Sequence, residues 1–436
     1  MSSSRRRARV RLIGTAVSLV MALALGSYAV LAVLAPVPNL SPVIPAYDVV
    51  ETPPGTVTLP TGAAAIALAE GDQVLAARNL DEPRVLASIT KLVTALVVLD
   101  ARPIGGDTEG PGITLTAADA RLAQSYIAMG GSFAPVPVGA VLTQRQIIEL
   151  MIVRSANNYA DTLAIWAFGS IDDYRRAARA WLDRVGLERI TIADATGFSL
   201  DNRATPRDLL ALARIAAANP VVAAAAATPR LAVDGVGAFE NTNRALGTAG
   251  ITGLKTGTLG PAVGANLLFS GVLPTDAPDA EPVPVVGVVL GQPDQAAVAT
   301  AVQTLMTTAA DDLRTVTLIE EGELLASYQA PWGDTVEVRS RVAVTDQVWG
   351  AVRSRLAVSA PTLTGADDER LEQEVTAVMR WGGRTERLAV EIVGGIDPPP
   401  LDWRLLQPLR DGGILPPTGT GSAPAAPPAR SWASSA

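Results

Sequence analysis

Only two of the 35 basic residues in this 436-residue chain are lysines, Lys91 and Lys255, and each sits in a short pattern able to do chemistry. In Ser88-Ile89-Thr90-Lys91 a hydroxyl and an amine stand three residues apart. At helical spacing they share a face and can meet. A serine hydroxyl is a poor nucleophile until a base takes its proton, and a lysine neutralised by burial and a neighbouring positive charge can be that base. In Ser155-Ala156-Asn157 a hydroxyl able to relay a proton lies two residues from a carboxamide able to orient a carbonyl or the base. In Lys255-Thr256-Gly257-Thr258 a permanent ammonium beside hydroxyls makes a site for a substrate carboxylate. Gly257 lets another backbone approach closely, as a peptide would when adding itself along a strand edge.

Each pattern also has an ordinary reading. Ser88 could cap a helix with Lys91 on its surface, Ser155-Ala156-Asn157 could be a plain helix cap, and Lys255 could be exposed on a strand that ends at a glycine turn. The combination argues otherwise, because both lysines fall inside the patterns. What the chain lacks narrows the chemistry further. Without cysteine or histidine there is no disulfide, thiolate nucleophile, Ser-His-Asp triad or His-based zinc site, so neither a metal nor a cofactor is expected.

The elements that must position these groups are legible in outline. Apolar segments 63–69 and 73–79, joined by Glu70-Gly71-Asp72, read as a β-hairpin. The run from Ser88 to Asp100 reads as a buried helix. Thr143 and Gln146 form a capping box ahead of a helix to 154, with another helix expected from about Asn158. Thr205-Pro206 opens a helix over 207–218, which Asn219-Pro220 stops. Asp294 is expected to cap a helix over 295–312, and 250–258, 264–273 and 283–290 read as strands. This order predicts an α+β fold, an antiparallel sheet covered by helices.

Before and after that body the style changes. Arg5, Arg6, Arg7, Arg9 and Arg11 (in a basic segment, 1–11) precede an uncharged apolar run, 12–35, long enough to span a bilayer with the N-terminus inside. Ala22-Leu23-Ala24 would suit a cleaved signal peptide, but the apolar run continues past it, so an uncleaved anchor is expected. Proline-rich 36–55 reads as a stiff spacer. The body is then expected over 56–312. A small all-β domain is expected over 313–408, where Val336, Val338, Val342 and Val344, and then Leu388, Val390 and Ile392, alternate with polar residues. A Gly, Pro, Ala and Ser-rich tail, 409–436, is expected to be disordered. The chain carries a net charge of −8, and with five arginines confined to the N-terminus its body is more acidic still. Nucleic acid, or an anionic wall polymer held by bulk charge, is not an expected partner, although a local basic pocket stays open.

The trio Ser88-x-x-Lys91, Ser155-x-Asn157 and Lys255-Thr256-Gly257 resembles that of the low-molecular-mass penicillin-binding proteins that act as serine D-Ala-D-Ala carboxypeptidases. Asp194-Ala195-Thr196-Gly197-Phe198, Asn202 and Asn241-Thr242-Asn243 are similar as well, and the likeness spans about 60–312. The resemblance implies a penicillin-binding, transpeptidase-like fold on the extracytoplasmic face of the membrane. It implies that Ser88 attacks the D-Ala-D-Ala peptide carbonyl of a peptidoglycan stem peptide and that Lys91 takes its proton. Ser155 then passes the proton to the leaving D-alanine, while Asn157 orients Lys91 and substrate. Lys255, Thr256 and Thr258 hold the terminal carboxylate, and backbone N–H groups of Ser88 and Thr258 form an oxyanion hole. β-Lactams are implied as acylating inhibitors. Some relatives attach to the membrane by a C-terminal amphipathic helix, which 411–436 is not expected to form. A class A β-lactamase would need a glutamate to activate water between the second and third motifs, where only Glu188 and Glu240 occur and neither has that context. A non-catalytic penicillin- or muropeptide-binding sensor or scaffold is the remaining rival.

Overall fold

The structure is a computed structural model and describes residues 3–47, 51–52, 55–105, 107–275, 281–364 and 369–416. The first element, helix α1 (Ser3–Leu34), contains a candidate membrane span, Arg6–Leu34, with only 6% of its most apolar stretch covered by protein. A helix of that length and composition is sufficient to cross a bilayer. The chain then divides into two compact units, Pro54–Thr315 and the pairing of Met1–Pro53 with Val316–Ala436.

The Pro54–Thr315 unit is built on one five-stranded antiparallel sheet. Strands β1 (Ala63–Leu68) and β2 (Val74–Arg78) form the expected hairpin, and β3 (Ile251–Thr258), β4 (Ala265–Leu273) and β5 (Val283–Gln292) come from far along the chain. Their spatial order is β3-β4-β5-β1-β2, so Val288 pairs with Ala65 and Leu268 with Val288. The middle strands are buried on both faces, which is why they read as continuous apolar runs rather than alternating ones. Their two covers are helical. Helix α8 (Gln295–Asp311) packs on one side of β4 and β5, while α6 (Pro206–Ala218) packs on β1, β4 and β5. Strand β3 lies at the sheet edge.

Between β2 and β3 come α2 (Thr90–Ala101), α3 (Ala117–Ala128), α4 (Gln144–Val153), α5 (Asn157–Phe168), a further helix over Ile171–Arg184, α6 and α7 (Pro220–Ala227). Their starts follow the capping chemistry. Thr143 Oγ1 accepts from Gln146 N–H at 3.1 Å while the Gln146 side chain returns to Thr143 N–H. Thr205 caps α6 with Pro206 in its first turn, and Asp294 Oδ1 accepts from Ala296 and Ala297 to start α8. One expectation is extended: Asn219-Pro220 ends α6 but also begins α7, bent 94° from it, with Asn219 Oδ1 accepting from Val221 and Val222. Proline at a helix start costs nothing, because the N–H there has no partner within the helix.

The other unit departs from expectation in three places. The proline-rich segment expected to be a stiff spacer is woven into it: Asn39–Leu40 pairs with Leu363–Thr364, buried Leu40 joins its core, and Val43 bridges Ser327. Prolines supply extended backbone, which suits an edge strand as readily as a spacer. Second, the alternation through Val336 to Val344 is broken. One strand, Thr335–Ser340, ends before Val342, and Val344 opens the next, Val344–Trp349. Third, the unit is not all β. A short helix occupies Glu369–Glu374, and α9 (Leu401–Asp411) crosses the expected boundary at 408. Leu401, Leu405 and Leu409 stand four apart, and Pro408 falls in the last turns. Tyr28 of α1 donates to Leu405 O at 2.6 Å and Arg404 donates to Val33 O at 2.6 Å, so α9 is held against the end of α1. The disorder expected for 417–436 concerns residues outside those described.

Candidate active site

Ser88 sits in a single turn of 3-10 helix, Ala87–Ile89, which runs into α2. That turn is pinned from several directions. Leu86 N–H donates to Asn202 O at 2.9 Å, Asn266 Nδ2 donates to Val85 O at 3.0 Å, and Ala87 takes a left-handed φ of 48°. A non-glycine residue there is held by its surroundings at a local cost, a pattern that clusters at functional sites.

Lys91, one turn on, is fully buried. Its Nζ donates to Ser88 Oγ at 2.9 Å, Asn157 Oδ1 at 2.6 Å and Thr196 O at 2.6 Å. Three acceptors use all three protons of an ammonium; once neutral, the amine has a lone pair free for the Ser88 proton. Burial is the main reason that the Lys91 pKa falls from 10.5 to about 7, and the carboxylates of Asp194 and Asp161 oppose the fall. The same carboxylate neighbourhood is itself perturbed: burial pushes Asp161 from 3.8 up to about 6, although Tyr126 of α3 donates to it at 2.7 Å.

The Thr196 carbonyl was not singled out by sequence, although its segment was. Asp194 holds that segment in place: Oδ1 accepts from Thr196 N–H (2.8 Å) and Gly197 N–H (2.6 Å), and Oδ2 accepts from Ser199 N–H (2.6 Å). Gly197 has φ +82°, and a Cβ there would lie 1.8 Å from Ala87 O, so the segment can rest on the nucleophile turn only as glycine. A carbonyl acceptor leaves no mark on residue type. The run of Asp, Thr and Gly was the only available signal.

Asn157 opens α5 and is buried, and Ser155 stands just before it at the junction with α4. Ser155 has φ 63° and is also buried. The structure therefore joins Ser88, Lys91 and Asn157 by direct hydrogen bonds and places Ser155 beside them in the chain, outside the acceptors that Lys91 uses.

The third pattern lies on edge strand β3. Lys255 is fully buried rather than exposed, and donates to Thr256 Oγ1 at 3.2 Å and Thr242 Oγ1 at 3.4 Å. Thr242 and Thr256 hydroxyls are 2.6 Å apart. The expectation of a permanent ammonium needs correction: burial first, and Lys91 second, set the Lys255 pKa well below 10.5. A bound carboxylate is the group that would restore its charge. Gly257 also differs from expectation. Its Cβ position is 2.7 Å from Leu86 O and 3.2 Å from Ser88 N, so the backbone that it admits is the protein's own nucleophile turn. This contact unites the two halves of the site, setting the end of β3 against Ser88. Thr258 is exposed, and Gln295 Nε2 donates to its Oγ1 at 2.8 Å and to Gly257 O at 3.1 Å.

Residues 50–293 match the D-alanyl-D-alanine carboxypeptidase family, Peptidase_S11, over more than half of the chain. The chain belongs to that family. Among curated proteins, the chain is 31% identical over 189 residues to a D-alanyl-D-alanine endopeptidase of Pseudomonas aeruginosa, covering 43% of this chain and 56% of that protein. It is 28% identical over 152 residues to the D-alanyl-D-alanine endopeptidase of Escherichia coli, covering 35% and 46%. The matches thus span about half the length of these relatives. In structure the chain resembles the Streptomyces K15 DD-transpeptidase, with a TM-score of 0.51 at 23% identity over 58% of this chain and 98% of that one. It also resembles penicillin binding protein 5 from Haemophilus influenzae, with a TM-score of 0.54 at 17% identity over 79% and 98%. At these identities the likeness is one of fold, and the fold is that of the penicillin-binding proteins.

Proposed function

We propose that the protein is a membrane-anchored serine D-Ala-D-Ala carboxypeptidase that trims peptidoglycan stem peptides. The observation that carries the reading is the 2.9 Å hydrogen bond between Ser88 Oγ and a lysine whose pKa has fallen to about 7. A base poised near neutrality is suited to take a hydroxyl proton at physiological pH. In this reading neutral Lys91 accepts the Ser88 proton as Oγ bonds to the carbonyl carbon of the penultimate D-alanine. The tetrahedral oxyanion faces the backbone N–H groups of Ser88 and Thr258, which the Gly257 contact brings close. The C–N bond breaks, the proton passes by way of Ser155 to the departing amine, and D-alanine leaves. Asn157 keeps Lys91 aimed. Lys255, with Thr242, Thr256 and Thr258, receives the substrate's terminal carboxylate. Water then cleaves the Ser88 ester, and a β-lactam acylates the same oxygen.

The α1 helix is read as the anchor, leaving the chain that follows it on the extracytoplasmic face. A β-lactamase reading is disfavoured because Glu188 and Glu240 are both exposed, with Glu240 paired to Arg230. A second reading, cleavage of D-alanyl bonds inside cross-links, is favoured by the names of both curated relatives. Purified protein should release D-alanine from a peptide ending in D-Ala-D-Ala, and Ser88→Ala should abolish both this release and fluorescent-penicillin labelling. Scission of cross-linked muropeptides without D-alanine release would replace the carboxypeptidase with the endopeptidase. Neither product, with penicillin labelling intact, would favour the sensor.

A further inference from the structure

The acidic body of this protein carries a concentrated patch of the opposite sign. It lies in the unit that includes Val316–Ala436, on the three-stranded sheet of β6 (Arg355–Ser359), β7 (Thr376–Trp381) and β8 (Arg384–Arg387). A pocket of about 440 Å³ is lined there by Arg353, Arg355, Arg380 and Arg384, with Trp381 and the Gly382-Gly383 turn. Two of these guanidiniums are neutralised from the rim: Arg353 pairs with Glu51 at 2.8 Å and Arg384 with Asp346 at 2.8 Å. The other two are not. Arg355 and Arg380 are direct cross-strand partners, and among the described residues neither has a carboxylate partner.

Like charges directly opposite on an antiparallel pair destabilise it. A sheet that only had to fold would gain from a glutamate or glutamine at either position. The pair instead places two planar, five-donor forks side by side over a hollow, an arrangement that suits a multiply charged oxyanion with several acceptor oxygens. A phosphate presents three or four oxygens and up to two charges, against two oxygens and one charge for a carboxylate. We propose that the Arg355–Arg380 pocket is a binding site for a phosphate-bearing ligand, supplied either as a lipid headgroup or as a water-soluble phosphate ester. The pocket lies wholly outside the peptidase unit, so the site is a second one with its own ligand.

The test uses the full chain in dodecyl maltoside micelles, titrated with inorganic pyrophosphate by calorimetry and by thermal unfolding. Wild type should bind pyrophosphate and gain melting temperature. Arg355→Gln and Arg380→Gln should each weaken binding about tenfold, as expected when a hydrogen bond to a charged group is removed. Arg121→Gln, in the other unit, should leave binding unchanged. Without anion, Arg380→Gln should melt no lower than wild type, because the substitution removes a repulsion. Mixed micelles containing phosphatidylglycerol, with phosphatidylcholine as control, distinguish the sources. Displacement of pyrophosphate by the anionic lipid assigns the headgroup, and failure to displace it assigns a soluble ester. Absent binding, equal binding by all variants, or a lower melting temperature for Arg380→Gln would each overturn the proposal.

Discussion

If neutral Lys91 is the base, the rate of Ser88 acylation must follow the neutral fraction of that amine. With its pKa lowered from 10.5 to about 7, half of the amine is neutral at pH 7. At the unperturbed value only about one molecule in 3,000 would be, so burial raises the supply of base roughly 1,500-fold. The sign follows from the direction of the shift: activity is lost as pH falls through about 7, because the inactive form carries the extra proton. At pH 5.5 about 3% of the amine is neutral, so the second-order rate constant for acylation by a fluorescent penicillin should sit about 30-fold below its plateau. A second loss is expected as Lys255 sheds its proton, and burial, with Lys91 second, sets that limb well below the range of an ordinary lysine. Asp161→Asn supplies an internal control. The ionised Asp161 carboxylate holds the Lys91 pKa up, so removing its charge should move the acid limb to lower pH. Stopped-flow acylation between pH 5 and 9 measures both effects. A flat profile, an acid limb centred near 10, or an upward move in Asp161→Asn would refute the assignment of Lys91 as a base tuned by burial.

Two further outcomes test how the site is held together. Gly257→Ala puts a Cβ 2.7 Å from Leu86 O and 3.2 Å from Ser88 N, and should slow acylation by one to two orders of magnitude while the melting temperature moves by only a few degrees. Asp194→Ala removes the acceptor for three backbone N–H groups beneath Thr196, and should destabilise the protein by about 1–3 kcal/mol in urea unfolding as well as slowing acylation. Asp194→Asn keeps acceptor oxygens and should recover part of the stability.

The comparison between sequence and structure is clearest at Lys91 and Thr196. Ser88, Lys91, Asn157 and Lys255 could be singled out before any coordinates, because both lysines of the chain fall inside short patterns that together resemble those of the penicillin-binding proteins. The caps at Thr143, Thr205 and Asp294 were equally legible, since each involves residues within three positions of one another. The β1–β2 hairpin and the apolar strands β3, β4 and β5 followed from the same kind of local pattern.

What the chain alone determined was therefore the identity of the reactive groups and the short elements that carry them. Their working values came from elsewhere. The third acceptor of Lys91 is a backbone carbonyl, which every residue possesses. The lowered pKa of both lysines depends on complete burial, and burial is decided by segments as distant in sequence as Leu86 and Gly257. Gly257 looked like room for a substrate until the fold put Leu86–Ser88 against it. Likewise, the prolines of 36–47 looked like a spacer until strand pairing with Leu363–Thr364 claimed them, and the arginines at 355 and 380 became neighbours only through β6–β7 pairing. Contacts of this kind carry no local periodicity, so only three-dimensional packing could specify them.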